Sequence, residues 1–121
     1  MIEFPINAWL ATHPDKVFVW SPDGQYLSYL YSKPQTRHYV GSEKIIGQYI
    51  QEVLPPKIGD QVFSVMRVAW LGRQIQICTI QLPLEGLMHK VCIRFYPQDH
   101  SIIGLVNDYK LPTTSLSTSS H

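Results

Sequence analysis

The chain of 121 residues predicts one α+β domain, a five-stranded antiparallel sheet with short helices and one long helix on one face. Three observations predict this class. Two strand-like stretches near the N-terminus are separated by a tight turn, a helical block fills the middle, and three more strand-like stretches follow with short connections. Short connections favour antiparallel neighbours, because a parallel pair needs a crossover of about a dozen residues or more.

The first two strands are predicted at residues 16–20 and 25–31, which are rich in β-branched and aromatic side chains. Between them lies Ser21-Pro22-Asp23-Gly24. Proline presets φ for the first turn position, aspartate suits the second, and glycine adopts positive φ without a steric cost. The sequence therefore predicts a hairpin that opens the sheet.

The middle of the chain changes to helical spacing. We expect Ser42 to cap a short helix that Gly47 ends. A long helix is predicted from Pro56, which suits the first helical position, to Gly72, which suits the position just past the end. Its apolar side chains recur near the 3.6-residue period: Ile58, Val62, Met66 and Ala69.

Three more strands are predicted at residues 74–82, 88–96 and 101–107. Residues 83–86 and 97–99 form the two short connections. In the middle strand of the three, Val91, Ile93 and Phe95 alternate with more polar side chains. This alternation predicts one face packed inward and one wetter face.

The chain divides into three segments. Residues 1–15 form an apolar arm with a short helix that Asn7 caps and Pro14 stops, residues 16–110 form the domain, and residues 111–121 form a flexible tail. Seven of the ten residues from 112 to 121 are Ser or Thr, too little apolar surface to offset the entropy of ordering.

The charge balance of the chain argues against some classes of binding partner. Ten Lys and Arg residues oppose nine Asp and Glu residues with no cluster of like sign, which argues against nucleic acid and anionic membrane as partners. No apolar run reaches the roughly 18–20 residues of a membrane span, and the N-terminus lacks the pattern of a secretory signal. We therefore expect a cytoplasmic domain without membrane contact, with Cys78 and Cys92 as reduced thiols.

Several stretches, in their order and spacing, resemble a known family over roughly residues 8–109. One stretch runs from His13-Pro14-Asp15 through the Asp23-Gly24 turn. Further stretches are Glu43-Lys44-Ile45-Ile46-Gly47, Val53-Leu54-Pro55-Pro56, residues 77–84 and residues 102–108. Together they look like a PAS domain, the sensor and interaction module of bacterial signalling proteins.

The resemblance implies sensing and dimerisation. It implies a homodimer within a signalling protein, such as a sensor histidine kinase of a two-component system or a cyclic-dinucleotide enzyme, that acts on an output domain or a partner signalling protein. A signal would change the packing of the dimer. The alternative is a stand-alone protein-interaction module with no ligand, and a weaker one is a small-molecule carrier or enzyme on a similar α+β fold.

The sequence argues against two cofactor types of the family but is compatible with a small noncovalent ligand. Residues 57–71 contain no His for a proximal haem ligand, and residues 42–47 contain no Cys for a flavin adduct, so no cofactor is predicted. A pocket of about 300 Å³ left empty would cost roughly 7 kcal/mol, so ligand, water or bulky side chains must fill it. The candidate lining residues are Ile46, Tyr49, Ile50, Phe63, Met66, Ile80 and Phe95.

Neither a catalytic residue nor a metal ligand is predicted. The chain has no GxSxG, no glycine-rich phosphate loop and no HExxH, and no two histidines have the spacing of a metal pair. Glu85 and His89 are predicted to span a turn and a strand, which argues against a metal site there. Any catalytic activity is therefore expected in another domain of the parent protein.

The N-terminal arm carries more apolar side chains than a frayed terminus needs: Phe4, Ile6, Trp9 and Leu10. The equivalent segment of PAS proteins commonly packs on the outer face of the sheet and mediates homodimers, so the resemblance implies that these residues form a dimer interface. The alternative is that the arm folds back on the sheet of its own chain.

Overall fold

The computed structural model describes residues 5–32, 45–84 and 86–111. Three helices and five strands are named here, in chain order. They are α1 (Ile6–Thr12), β1 (Lys16–Trp20), β2 (Tyr26–Ser32), α2 (Ile50–Val53), α3 (Pro56–Gly72), β3 (Gln76–Leu84), β4 (Leu87–Pro97) and β5 (Ile102–Lys110).

The five strands form one antiparallel sheet in the order β2-β1-β5-β4-β3. The N-terminal hairpin therefore joins the three later strands through the β1–β5 pair, in which Lys16 lies opposite Val106 and Trp20 opposite Ile102. Side chains of α2 and α3 pack on one face of this sheet, here called the inner face. The predicted α+β class is confirmed, with five antiparallel strands and with α2 and the long helix α3 on one face.

The first hairpin turn follows the prediction. Gly24 has φ of +93°, a conformation that glycine adopts without strain, and its N–H donates to the Ser21 carbonyl at 3.0 Å. The connection between β3 and β4 is shorter than predicted, since β3 continues to Leu84 and β4 begins at Leu87. Pro83 therefore lies inside a strand, which is tolerated because β3 is at the edge of the sheet.

Two helix ends differ from the predictions. Gly72 is the last residue of α3 rather than the residue past its end, and Arg73 takes the left-handed conformation with φ of +52°. The Arg73 guanidinium lies 4.6 Å from the centre of the Trp70 ring and donates to the Gln98 carbonyl at 2.7 Å. These contacts give a non-glycine residue a reason to adopt this conformation.

In α1, the helix begins at Ile6 after Pro5, so Asn7 lies inside its first turn and makes no capping bond. His13, with φ of +47°, ends the helix one residue before Pro14. Ser42 lies outside the described residues, whereas Gly47 has the positive φ of +91° that its predicted role requires.

The core has two layers. The larger layer lies between the inner face and the helices, and its fully buried side chains include Trp20, Ile50, Val62, Met66, Phe95 and Ile102. The smaller layer lies on the outer face, where α1 packs on Val17, Tyr96, Ile103 and Leu105. Among the described residues, no helix is both long and apolar enough to cross a membrane.

Candidate functional site

A cavity of about 70 Å³ lies between the inner face of the sheet and the helices. Most of the cavity wall is apolar. Two charged side chains, Lys16 of β1 and Asp108 of β5, also line it. The lining residues are Lys16, Phe18, Trp20, Tyr26, Ile45, Val53, Leu54, Val62, Ile80, Leu82, Val91, Ile93, Val106 and Asp108.

Two neighbouring strands, β1 and β5, supply the charged residues of the cavity wall, and His89 of β4 lies behind them in contact with Asp108. In β1, Lys16 has the same parity as the inward-facing Phe18 and Trp20, and in β5, Asp108 has the same parity as Val106. His89 of β4 is only 5% exposed, and its Nδ1 lies 2.7 Å from Oδ1 of Asp108. These three residues are here called the polar cluster.

Asp15 fixes β1 against the end of β5 beside this cluster. The Asp15 N–H donates to the Val106 carbonyl at 2.8 Å, and the Asp108 N–H donates to the Asp15 carboxylate at 2.7 Å. Because both bonds join the start of β1 to β5, they hold Lys16 and Asp108 at the same end of the sheet.

The burial of charged and polar groups in the polar cluster costs folding free energy. Burial lowers the pKa of the Lys16 ammonium from its ordinary value, although the charges of Asp108 and Asp15 act in the opposite direction. His89 Nε2 is buried and has no hydrogen-bond partner among the described residues. A buried charge and a buried polar atom without a partner both cost free energy, so the polar cluster destabilises the folded state.

The predicted lining residues have different positions in the structure. Ile80 lines the cavity. Ile50, Met66 and Phe95 are fully buried in the surrounding core, and Phe63 is half-buried against it. Ile46 and Tyr49 are 41% and 37% exposed and do not line the cavity, because the backbone turns after Ile45, which is the buried member of that segment.

The predicted interface residues lie on the outer face, except Phe4, which is outside the described residues. Ile6 and Leu10 are 50% and 64% exposed. Trp9 is half-buried against the outer layer, with its ring centre 6.0 Å from that of Tyr31. A surface groove of about 410 Å³ runs beside α1, lined by Trp9, Leu10, His13, Pro14 and Tyr31.

The sequence reasoning did not single out the polar cluster as a site. Glu85 is outside the described residues, and no group of three metal-ligating side chains occurs among those that are described. A usable signal was present, since Lys16 and His89 are polar residues at the inward parity of apolar strands. What brings them to Asp108 is the strand order, which no local pattern contains.

Neither a protein-family model nor a curated protein matches the chain. Several solved structures are similar to the chain. A domain of an HTR-like protein from Haloarcula marismortui ATCC 43049 is 15% identical, with a TM-score of 0.54, over 82% of this chain and 99% of that chain. The PAS domain of BvgS from Bordetella pertussis is 20% identical, with a TM-score of 0.50, over 98% of this chain and 92% of that chain.

A C-terminal domain from Streptococcus mutans is 18% identical, with a TM-score of 0.52, over 85% of this chain and 81% of that chain. At these identities the likeness concerns the fold. The strand order, the helical layer on the inner face and these neighbours together show that the chain has the fold of a PAS domain.

Proposed function

We propose that this domain is a sensory and interaction domain that holds a small noncovalent ligand in the cavity between the sheet and the helices. The observation that carries the proposal is the cavity of about 70 Å³ with buried Lys16 and Asp108 in its wall. PAS domains of signalling proteins sense in this way, and the resemblance of the sequence to them supports the same use here.

The energetics favour an occupant. A cavity of 70 Å³ left empty would cost about 2 kcal/mol of stability, at about 24 cal/mol per Å³. The buried polar groups at one end add to this cost unless an occupant meets them. Since a domain is stable by only about 5–15 kcal/mol, an occupant that removes both costs would change its stability measurably.

Native mass spectrometry of the chain purified from its own host tests the proposal. We expect a complex heavier than the bare chain, whose added mass disappears under denaturing conditions. An unliganded mass, together with no change in melting temperature across a panel of small acids, amides, amines and alcohols, would contradict it. That result would favour the alternative, an interaction module with no ligand.

A second part of the proposal is homodimerisation through α1, favoured by the exposed Ile6 and Leu10 beside the groove. Light scattering on Leu10→Asp tests it, because this side chain is 64% exposed and we expect its replacement to leave the fold intact. Leu71→Asp is the matched control, since Leu71 is 70% exposed at the end of α3. We expect a dimer in the wild type and in the control, and a monomer in Leu10→Asp; a monomer in all three would contradict this part.

The resemblance to PAS domains also suggests how the domain would pass on a signal. We expect the ligand or a partner to alter the dimer packing, and an output domain or partner protein, such as that of a sensor histidine kinase or a cyclic-dinucleotide enzyme, to read the change. The near-neutral charge supports a cytoplasmic domain that contacts neither nucleic acid nor membrane. No catalytic role is proposed for these residues.

A further inference from the structure

We propose that the free edge of β3 binds an extended acidic peptide segment of a partner protein, which adds to the sheet as a sixth strand. Neither the cavity nor α1 takes part in this binding, which is therefore independent of the ligand and the dimer proposed above. Three features of the described residues support it: the unpaired backbone of β3, the weak protection of this edge, and two cations on the next strand.

The backbone of β3 presents a row of unpaired groups at the edge of the sheet. Among the described strands, β3 pairs with β4 alone, and two residues connect Leu84 to Leu87. A two-residue connection makes its flanking residues a hydrogen-bonded pair, so the even-numbered residues of β3 bond to β4. The backbone N–H and C=O groups of Ile77, Thr79 and Gln81 therefore point away from the sheet, and no described residue bonds to them.

The two edges of the sheet differ in how they are protected. Along β2, the other edge strand, the register with β1 shifts twice, and Tyr26 forms backbone hydrogen bonds with Gly47 and Gln48. By contrast, β3 pairs with β4 over nine residues without a shift, and residues 74–84 contain no charged residue. Only Pro83, near the end of β3, lacks an N–H for a further strand. Native edge strands usually carry charges, bulges or a cover, so this long and regular edge is open to pairing.

The side chains at the start of this edge are apolar and exposed. Ile75 and Ile77 are 53% and 52% exposed, respectively. Since β-branched side chains pack well against cross-strand neighbours, a strand added here would remove apolar surface from water.

The charge of the neighbouring strand indicates the chemistry of the partner. Arg94 lies opposite Ile77 in the pairing of β3 with β4, and Lys90 lies opposite Gln81, so both cations share the outer face with these residues. No acidic side chain among the described residues forms an ion pair with either cation. An added strand would lie about 9–10 Å from β4, twice the strand spacing, which the long side chains of a cation and a glutamate together span. The segment that fits has acidic residues four positions apart.

The probe is an acetylated and amidated heptapeptide, Thr-Glu-Val-Ile-Val-Glu-Thr, titrated into the full chain and followed by NMR. Its two glutamates lie in line with Arg94 and Lys90 when its central isoleucine is opposite Thr79. We expect saturable shifts in β3 and slower amide exchange at residues 77, 79 and 81, whose N–H groups the peptide binds. The same peptide with lysines in place of the glutamates should bind at least about tenfold more weakly.

Two N-methylated peptides test whether the backbones pair. An N-methyl group on the central isoleucine removes the N–H that donates to the Thr79 carbonyl, and it should weaken binding at least about tenfold. The same group on the valine before it is the matched control, because that N–H points away from β3. The control peptide should bind nearly as well as the unmodified one.

Substitutions in the chain locate the site. Ile77→Asp places a like charge beside a glutamate of the peptide and should weaken binding at least about tenfold. Leu71→Asp introduces the same charge on α3, at a side chain that is 70% exposed, and should leave binding unchanged. Arg94→Gln supplies a second variant if Ile77→Asp does not fold, and it should reduce the preference for glutamate over lysine in the peptide.

The outcomes separate the possible occupants of this edge. Equal binding of the glutamate and lysine peptides would overturn the acidic chemistry. Equal losses from the two N-methyl groups, equal weakening by Leu71→Asp and Ile77→Asp, or no saturable shifts would overturn strand addition to β3. A Leu10→Asp protein that remains a dimer, and becomes a monomer when Ile77→Asp is added, would assign the edge to a second copy instead. Native mass spectrometry tests the occupant of the cavity separately, so either proposal can fail while the other stands.

Discussion

The two faces of the sheet differ in how they are covered. On the inner face, α2 and α3 bury a continuous apolar layer that includes the fully buried Met66 and Phe95. On the outer face, the seven-residue helix α1 covers a smaller layer, and none of its own residues is buried. Packing on the inner face thus supplies most of the stability, whereas α1 is held on the outer face by few contacts.

This difference separates two roles. A tightly packed inner layer makes a cavity there a defined site, because the surrounding side chains do not collapse freely into it. A weakly held cover on the outer face can exchange its contacts for those of a partner at low cost. A domain that senses on one side and interacts on the other needs this asymmetry.

The sharpest test of the asymmetry uses two adjacent isoleucines of β5 that point to opposite faces. Ile102→Ala empties a fully buried inner position and should cost about 4 kcal/mol of unfolding free energy, measured by chemical denaturation. Ile103→Ala makes the same change on the outer face, where α1 can settle into the space, and should cost about 2 kcal/mol. Equal costs would mean that the outer layer is as rigid as the inner one.

A second test fills space on the inner face. A Cβ at Gly104 would lie 2.0 Å from Cζ3 of Trp20, whose ring is buried against Phe95 at 5.5 Å between ring centres. Gly104→Ala should therefore cost about 2–3 kcal/mol. Gly72→Ala is the control, because its Cβ would meet only Gln74 Oε1 at 4.0 Å at the end of α3. We expect it to be neutral or stabilising; a tolerated Gly104→Ala would show that the core around Trp20 is loose.

The buried Lys16 of the polar cluster gives a third test, which measures the cost of a charge on the inner face. Burial lowers the pKa of Lys16 despite the charges of Asp108 and Asp15, so the ammonium is destabilised in the folded state. Lys16→Met should therefore raise the melting temperature at pH 7, measured by thermal unfolding. A lower melting temperature would mean that the attraction of Asp108 and Asp15 outweighs the cost of burying the ammonium.

The same shift gives a pH dependence with a defined sign. As pH rises from the lowered folded pKa of Lys16 to the ordinary value of 10.5, the unfolded chain binds more protons than the folded one, so stability increases with pH. The advantage of Lys16→Met over the wild type should shrink across this window. Thermal melts of both proteins, compared as a difference, remove the opposite effect of Tyr26, whose pKa is raised by burial.

The strands and the long helix were predictable because their signals are local. The inward set Val91, Ile93 and Phe95 is buried as predicted, since the side-chain period of a strand fixes its faces. The Pro56 start of α3 and the positive φ of Gly24 also follow from single-residue backbone preferences.

The site was not predictable from such signals. Lys16, His89 and Asp108 meet because β5 lies between β1 and β4, and this strand order depends on how the whole sheet assembles. Helical spacing likewise marks which side chains of α3 face the core, but not which of them border a gap. Met66 is buried in close packing, whereas Val62, one turn earlier, lines the cavity.

The smallest expected effect concerns how α1 is held on the outer face. The Asn107 amide donates to the carbonyls of Thr12 and His13 at 3.2 and 3.3 Å, which ties the end of α1 to β5. Asn107→Ala should cost about 1 kcal/mol locally and speed amide hydrogen exchange in α1 about fivefold, with little change in the melting temperature.

The control for this change lies within α1 itself. Asn7 is exposed and makes no capping bond, so Asn7→Ala removes the same side chain without releasing the helix and, by its higher helix propensity, should leave exchange unchanged or slightly slower. Equal exchange in α1 for Asn107→Ala and wild type would show that the packing of Ala8 and Trp9 holds the helix without these hydrogen bonds. Faster exchange confined to α1 would instead show that the outer cover opens without disturbing the inner core, as an interaction surface requires.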